Sequence, residues 1–447
     1  MPRNSTDVLT KQRRIAFLAR QSPEMAFTSL AYLMDMEWLK EAYRRTRKDG
    51  AVGVDGVTAE EYEQDLEGNL QSLLDRAKSG TYKAPPVRRV HIPKGGSTTE
   101  TRPLGIPTLE DKVLQRAAVM LLDPIYEQDF LDCSYGFRRG RSAHDALDSF
   151  RNQTMNCRPK GVTVLEVDIR KFFDNLDHQH LRQFLRLRVR DGVLLRLIDK
   201  WLKAGVLEDG NVSYPDSGSP QGGVVSPLIS NVFLHYVLDL WFEQDVKPRL
   251  KGHAFLIRYA DDFVIGFRDP RDAKRVKEVL SKRLGKFGLT VHPTKTKIVP
   301  FRPPSSRMKD DDEYRPGTFD LLGFTHYWAV SLKGHWVVKL KTAKDRFTRA
   351  VRSIDHWCRD NRHLPISEQH KKLNAKLRGH YAYYGVTGNS PALTRFLHEV
   401  GPRWRRWLNR RNRIRSMTWE KFLAILERYP LAPSHAVRSQ LRYAAKP

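Results

Sequence analysis

Apolar residues recur at helical spacing from Met25 to Arg47, after which Gly53-Val54-Asp55-Gly56-Val57 turns the chain. From residue 80 to 107 short β-like runs alternate with Pro and Gly, as in Val90-His91-Ile92-Pro93-Lys94 and Arg102-Pro103-Leu104-Gly105-Ile106-Pro107. This pattern predicts a small, basic sheet. Leu109 to Ile125 and Ala143 to Phe150 return to helical spacing, and Val162 to Val167 (VTVLEV) reads as a buried strand that ends at Asp168. Ser226-Pro227, behind Gly222-Gly223, supplies an N-cap and first-turn pair for a helix reaching about Trp241. Phe255 to Phe267 consists of two apolar runs about Ala260-Asp261-Asp262, which predicts a hairpin. Beyond residue 340 the pattern is helical and basic over Lys344 to Arg359, Glu368 to Tyr384, Ala392 to Arg410 and Trp419 to Glu427. No fixed-period repeat stands out.

At 447 residues the chain exceeds one ordinary core, so two or three packed lobes are expected. Charge narrows the partner. Lys and Arg number 78 against 51 Asp and Glu, a formal net charge of +27, which suits a polyanion and predicts binding that weakens steeply with salt. The excess is uneven: residues 311–447 hold 27 basic and 11 acidic side chains. A polar, Pro-rich stretch from Pro300 to Gly317 separates that basic part from the rest and reads as a linker. Hydrophobic residues at 40% and nine Trp argue for a folded, enzyme-sized body over a disordered basic tail. Cys133, Cys157 and Cys358 are too few and too scattered for a disulfide framework or a four-Cys zinc site. His178, His180, His356 and His363 do not make a metal set either. No apolar run nears the roughly 20 residues of a membrane span, and no secretory segment opens the chain, so a cytoplasmic location without membrane attachment is expected.

Candidate chemistry concentrates in three aspartates. Asp261 and Asp262 are adjacent between apolar strands, where two carboxylates repel each other and lose hydration unless a cation lies between them. Asp168 ends a third apolar strand 93 positions earlier, so only the fold can unite the set. Phosphoryl transfer from a nucleoside triphosphate asks for such a set: two hard divalent ions about 4 Å apart, one at the attacking 3′-oxygen and one at the leaving pyrophosphate. Mg²⁺ suits these oxygens. An Asp pair in a turn, or one Asp capping a strand, is also ordinary local chemistry. The neighbours raise the specificity: Tyr259-Ala260-Asp261-Asp262, Val167-Asp168-Ile169-Arg170-Lys171-Phe172-Phe173 and Gly218-Ser219-Pro220-Gln221-Gly222.

With these segments the sequence resembles the reverse transcriptases, and among them the group II intron-encoded reverse transcriptase/maturase family. The likeness extends over nearly the whole chain through Gly53 to Thr58, Arg102 to Pro107, Ser134-Tyr135-Gly136-Phe137-Arg138 with Arg141-Ser142-Ala143-His144, Leu322-Gly323-Phe324, and Tyr381-Ala382-Tyr383-Tyr384-Gly385. The resemblance implies an α+β right-hand polymerase with fingers, palm and thumb, the palm an antiparallel sheet and the thumb, or X, domain helical. On that scheme residues 1–80 are an N-terminal extension and the start of the fingers, 81–310 fingers and palm, and 311–447 the basic thumb.

Carried over by position, the resemblance implies that Asp168, Asp261 and Asp262 are catalytic and, with the Ile169 carbonyl, hold two Mg²⁺ ions. Lys94, Arg102, Ile169, Phe173 and Gln221 would contact the dNTP, the Phe173 ring excluding a ribose 2′-hydroxyl. Either Lys295 or Lys297 would protonate pyrophosphate. The run Gly401 to Thr418 has seven Arg and no acid, and Arg403, Arg405, Arg406, Arg410 and Arg411 are its candidate RNA contacts, with Trp404 and Trp407 as packing residues. The partners implied are group II intron RNA, an RNA template with a DNA primer, target DNA and dNTPs; oligomeric state is left open. The expected function is copying RNA into DNA while aiding splicing and mobility of the intron. A domesticated reverse transcriptase in repair or phage defence, a splicing factor with a vestigial site and, more weakly, an RNA-dependent RNA polymerase are the alternatives. The Cys-bearing HNH endonuclease extension of many relatives is not seen, so a primer made elsewhere, such as a strand at a replication fork, is expected.

Overall fold

The computed structural model describes residues 3–93, 101–214, 218, 222–304, 317–411 and 416–436. The chain divides into two compact units, one formed by Met1–Ile92, Glu100–Gln153 and Thr163–Ile298, the other by Pro93–Thr99, Thr154–Val162 and Val299–Pro447.

The first unit opens with helices α1 (Arg3–Gln21), α2 (Met36–Arg45), α3 (Ala59–Glu63) and α4 (Leu66–Ser79), followed by strands β1 (Val87–Pro93) and β2 (Thr101–Ile106). Next come α5 (Leu109–Asp129), α6 (Ala143–Asn156), β3 (Val162–Val167), α7 (His178–Arg188) and α8 (Gly192–Leu202). Strands β4 (Val206–Glu208) and β5 (Asn211–Ser213), helix α9 (Ser226–Leu234), strands β6 (Ala254–Tyr259) and β7 (Asp262–Phe267), helix α10 (Pro270–Gly285) and strand β8 (Lys297–Phe301) complete the series. Side-chain caps fix several helix starts: Thr108 accepts from the Asp111 amide at α5, Asp177 from that of His180 at α7, and Asp191 from those of Val193 and Leu194 at α8. The helix expected to end near Trp241 instead passes into π-helical turns and continues through Val246. Among the described residues no helix is long and apolar enough to cross a membrane.

Two sheets matter for the chemistry. One, ordered β2-β1-β4-β5, joins the basic strands to a hairpin more than a hundred residues later, with β1 and β4 parallel through Val87 and Val206. The other, ordered β6-β7-β3-β8, pairs β6 with β7 and β7 with β3 antiparallel. Strands β3, β6 and β7 are buried on both faces almost throughout, which explains why their sequences are predominantly apolar and do not alternate, Glu166 and Arg258 being the charged exceptions in their interiors. α5 lies in the same core with Leu114, Ala117, Ala118, Leu121, Leu122 and Ile125 fully buried.

The second unit has an antiparallel sheet of β9 (Phe319–Leu321), β10 (Phe324–Val330) and β11 (Trp336–Thr342) and four helices, α11 (Lys344–Asp360), α12 (Ile366–Tyr384), α13 (Ser390–Asn409) and α14 (Trp419–Arg428). The motifs Leu322-Gly323-Phe324 and Tyr381 to Gly385 meet there. Leu322 and Gly323 make the β9–β10 turn with φ of 50° and 80°, the Tyr383 hydroxyl donates to the Leu322 carbonyl (2.8 Å), and Phe324 packs on both Tyr383 and Tyr384.

Candidate active site

β6 and β7 pair down to Tyr259 and Asp262, leaving Ala260 and Asp261 as a two-residue turn. Ala260 has φ of 57° and Asp261 does not share the positive value, so the turn follows the II′ pattern that normally places Gly first. A non-Gly residue there stores roughly 1–3 kcal/mol of strain, which the surroundings must offset. They do so by close packing. The segment 133–136 lies beside β6, with the Arg258 amide donating to Cys133 O (2.8 Å) and the Tyr135 amide to Arg258 O (2.9 Å). This brings Gly136 under the turn, so near that an added Cβ would lie 2.3 Å from the Ala260 nitrogen.

Asp168 follows the last β3 residue paired with β7, Val167 opposite Phe263, so one further step of the register sets Asp168 across from Asp262. Its backbone is clamped on both sides: the amide donates to Thr296 Oγ1 (3.3 Å) and the carbonyl accepts from the His292 amide (2.8 Å). The Arg170 amide donates to Thr290 O (2.8 Å), so the two bonds bracket Ile169, which faces Val291 without sharing one. The Ile169 carbonyl is therefore directed away from that segment.

Electrostatics tie the aspartates together. Burial pushes the Asp261 carboxyl up from its ordinary range and the charge of Asp168 adds to this, while Arg102 and Arg258 act in the opposite sense. Two negative groups are thus held near each other at a site where both gain from a cation. Lys295 Nζ lies 3.1 Å from Asp168 Oδ2, whereas Lys297 is 3.2 Å from Glu166 Oε2. That contrast assigns Lys295, and not Lys297, to the carboxylate centre. The oxygen donors fit a hard divalent ion. The third expected ligand is less well gathered: Asp262 is exposed at the start of β7, and among the described residues no three His, Cys, Asp or Glu side chains converge as a ready-made cage.

Of the expected nucleotide contacts, Arg102 on β2 is exposed and its charge reaches Asp261. Phe173 is half-buried, 5.3 Å from Phe172 between ring centres, so it packs on the core and keeps an accessible edge. Lys94 and Gln221 lie outside the described residues. The ends of the Gln221 loop are nonetheless fixed. Gly218 has φ of 93°, and a Cβ there would lie 2.8 Å from Phe173 O; its amide donates to Leu176 O, and the His178 ring hydrogen-bonds its carbonyl. At the other end Gly222 has φ of 114° and leaves only 2.4 Å between a Cβ and Gly105 O on β2. Gly218 thus abuts the Phe173 segment and Gly222 the Arg102 strand.

The arginine row at the end of α13 and just beyond it is more occupied than its sequence suggests. Arg403 pairs with Glu399, Arg406 with Asp355, Arg405 donates to Met417 O (2.7 Å) and stacks over Trp419, and Arg411 donates to His363 O. Arg410 stacks on Trp407. Trp404 is fully buried, with its indole N–H on Gln369, as expected of a packing residue.

Sequence reasoning missed the group beneath the turn. Arg258 is fully buried and bonds Asp239, Asn231, Ser134 and the Ala260 carbonyl. The signal was present, since an arginine interrupts an otherwise apolar strand, Ala254-Phe255-Leu256-Ile257-Arg258.

An antiparallel sheet that presents one carboxylate at a strand end and a carboxylate pair on the adjoining hairpin, flanked by Lys and Arg, fits the nucleotidyl-transfer chemistry of the polymerase class. The comparison with known proteins narrows this: residues 92–326 match the family described as reverse transcriptase (RNA-dependent DNA polymerase), and the chain belongs to it. It is 35% identical to protein YkfC of Escherichia coli K12 over 64% of this chain and 83% of that protein. It is 36% identical to group II intron-encoded protein LtrA of Lactococcus lactis subsp. cremoris over 52% of this chain and 39% of LtrA. A 91 kDa protein in the cob intron of Schizosaccharomyces pombe is 27% identical over 89% of this chain and 56% of that protein. The chain thus matches most of YkfC but well under two thirds of LtrA. Reverse transcriptases use divalent metal ions.

Proposed function

We propose that the chain is the reverse transcriptase and maturase of a group II intron, binding the intron RNA, aiding its splicing and copying it into DNA during mobility. The observation that carries the polymerase part is the meeting of Asp168 at the end of β3 with the Asp261 turn, with Lys295 beside Asp168 and the charge of Arg102 acting on Asp261. The intron part is supported by the relatives, among them a group II intron-encoded protein and a protein in the cob intron. In this reading the β6-β7-β3-β8 sheet is the palm, the β2-β1-β4-β5 sheet belongs to the fingers, and the second unit contains the thumb.

Asp168 and Asp261, with the Ile169 carbonyl and Asp262, would hold two Mg²⁺ ions. When bound, these ions lower the pKa of the primer 3′-hydroxyl and offset charge on the pyrophosphate. The protein's own residues do the rest. Arg102 and Lys94 neutralise triphosphate oxygens. Gln221 touches the nucleotide from a loop whose two ends are pinned by Gly218 and Gly222. The Phe173 edge fills the space a 2′-hydroxyl needs, favouring dNTPs. Lys295 holds a proton at Nζ for the leaving pyrophosphate.

The RNA template with its DNA primer, the intron RNA and the target DNA are the nucleic-acid partners. A guanidinium has five N–H donors, and the intramolecular partners of Arg403, Arg405, Arg406 and Arg411 use one or two of them, so phosphate contact remains open to all four. Arg410 is the cleanest reporter because, among the described residues, its guanidinium stacks on Trp407 and meets no acid or carbonyl acceptor. The test is splicing of a group II intron RNA at near-physiological Mg²⁺ with and without the protein, beside filter binding over a salt series. Faster splicing, and an Arg410→Gln variant whose salt slope falls by about one unit or less, are expected. Binding no tighter than to an unrelated structured RNA, with no gain in splicing, would overturn the maturase assignment.

A further inference from the structure

Arg258 sits inside β6, where its neighbours Ala254 to Ile257 are all buried and apolar, and both it and Asp239 are wholly inaccessible to solvent. Stability alone does not call for this pair, because a buried ion pair loses hydration that its mutual attraction only partly restores, and apolar residues of like volume often serve as well. What sets the group apart is how its five donors are used. Nε and Nη2 form a two-pronged bond to Asp239 (2.7 and 2.5 Å), Nη2 also donates to Ser134 Oγ (2.8 Å), and Nη1 donates to Asn231 Oδ1 (2.9 Å) and to the Ala260 carbonyl (3.0 Å). Every N–H has an acceptor.

The last of these bonds reaches the turn itself. The Ala260 carbonyl belongs to the peptide plane that leads into Asp261, so holding that oxygen holds the plane from which the Asp261 side chain departs. Asn231 reaches the turn from the other side. Its Oδ1 accepts from Arg258 while its Nδ2 donates to Gly136 O (2.7 Å), and Gly136 is the residue packed against the Ala260 nitrogen. One guanidinium therefore braces both faces of a turn whose first residue is a non-glycine at positive φ.

We infer that Arg258 is a positioning residue for the polymerase reaction: oriented by Asp239, it fixes the Ala260–Asp261 peptide, directly and through Asn231 and Gly136, so that the Asp261 carboxylate is aimed before metal and nucleotide arrive. This rests on the assignment of Asp261 as a metal-holding carboxylate. Arg258 touches neither substrate nor metal. Lys cannot replace it, because an ammonium lacks the planar fork that binds Asp239 while two further donors point elsewhere.

The test compares wild type with Arg258→Lys, with the apolar replacement Arg258→Met/Asp239→Leu and with Asp261→Asn. Four quantities are read: the melting temperature, primer–template affinity, Mn²⁺ binding followed by electron paramagnetic resonance without nucleotide, and single-turnover dNTP incorporation. The apolar double variant is expected to melt near wild type and to bind primer–template equally well. Its Mn²⁺ affinity should nonetheless weaken about tenfold and its incorporation rate at saturating dNTP fall roughly 10- to 100-fold. Arg258→Lys should change in the same direction. A folded double variant with wild-type Mn²⁺ affinity and rate would overturn the inference, and so would loss of the folded state in both variants, which would make Arg258 a folding determinant. If Asp261→Asn binds Mn²⁺ as wild type does, the metal-site assignment itself has failed, a result distinct from a clamp that does nothing.

Discussion

Adding a single methyl group at Gly136 should disable the enzyme without unfolding it. The new Cβ would lie 2.3 Å from the Ala260 nitrogen, 2.9 Å from the Tyr259 carbonyl carbon and 3.1 Å from the Ala260 Cα. All three are backbone atoms, so no side chain can swing aside. Ordinary contact begins near 3.4 Å, which obliges one of the two segments to retreat by about 1 Å. Segment 133–136 is held by two backbone bonds to Arg258 and by Asn231 on Gly136 O, whereas the turn is a two-residue hairpin tip held by the one Arg258 bond to the Ala260 carbonyl. The displacement therefore falls mainly on Ala260 and Asp261. A reacting group misplaced by about 1 Å costs on the order of 100-fold in rate, equivalent to about 2.7 kcal/mol of barrier. Overpacking costs roughly 1–3 kcal/mol of stability in addition. Single-turnover incorporation by rapid quench at saturating dNTP, with primer–template affinity from fluorescence anisotropy and a melting curve, separates the two losses. A Gly136→Ala enzyme that incorporates nucleotide within threefold of wild type would refute the argument that this contact sets the Asp261 geometry.

Three further outcomes follow from the same structure. Lys295→Ala should slow single-turnover incorporation substantially more than Lys297→Ala, since only Lys295 contacts a proposed metal-holding carboxylate; equal effects would return the pyrophosphate role to an open choice. Phe173→Ala should raise the kcat/KM for rNTPs relative to dNTPs on one template, and an unchanged ratio would leave Phe173 as a core residue only. Burial raises the Asp111 carboxyl from 3.8 to about 6, despite its bonds from Tyr82 and Gln115. Because the folded value lies above the ordinary one, the folded state takes up the proton more readily, and this contribution is present at low pH and lost as pH rises from about 4 through 6, by up to about 3 kcal/mol. Asp111→Asn cannot ionise, so its stability relative to wild type should improve as pH goes from 4.5 to 7.5; parallel melting temperatures across that range would contradict the assignment.

Strands buried on both faces were the easiest elements to read. The run Val162 to Val167 and the two halves of Phe255 to Phe267 carry apolar residues at both parities, with Thr163, Glu166 and Arg258 as the polar exceptions, and they appear as β3, β6 and β7 with their aspartates at the ends. The sheet of the second unit was missed although its period of two is plain once seen, with Phe324, His326 and Trp328 buried and Thr325 and Tyr327 partly exposed. Other features are not local at all. Nothing near Val87 announces a parallel partner at Val206, and the choice between Lys295 and Lys297 depends on which β3 carboxylate each one meets. The intramolecular partners of the arginine row from Arg403 onward were not legible either. Seven in one run suggested an open phosphate surface, but Asp355, Glu399 and the carbonyls of Met417 and His363, distant in sequence or one turn away, already engage four of them. Arg258 was passed over because a single charge in a strand has no meaning until its acceptors on three other segments are known.

Extension of a DNA primer on an RNA template with dNTPs and Mg²⁺, by wild type and Asp261→Asn side by side, tests the central assignment most directly. Wild type should synthesise DNA only when a divalent ion is supplied, and the folded Asp261→Asn protein should bind the same primer–template with similar affinity while its incorporation falls by several orders of magnitude. Metal-dependent DNA synthesis by Asp261→Asn at a rate near wild type would show that the chemistry does not reside at this turn.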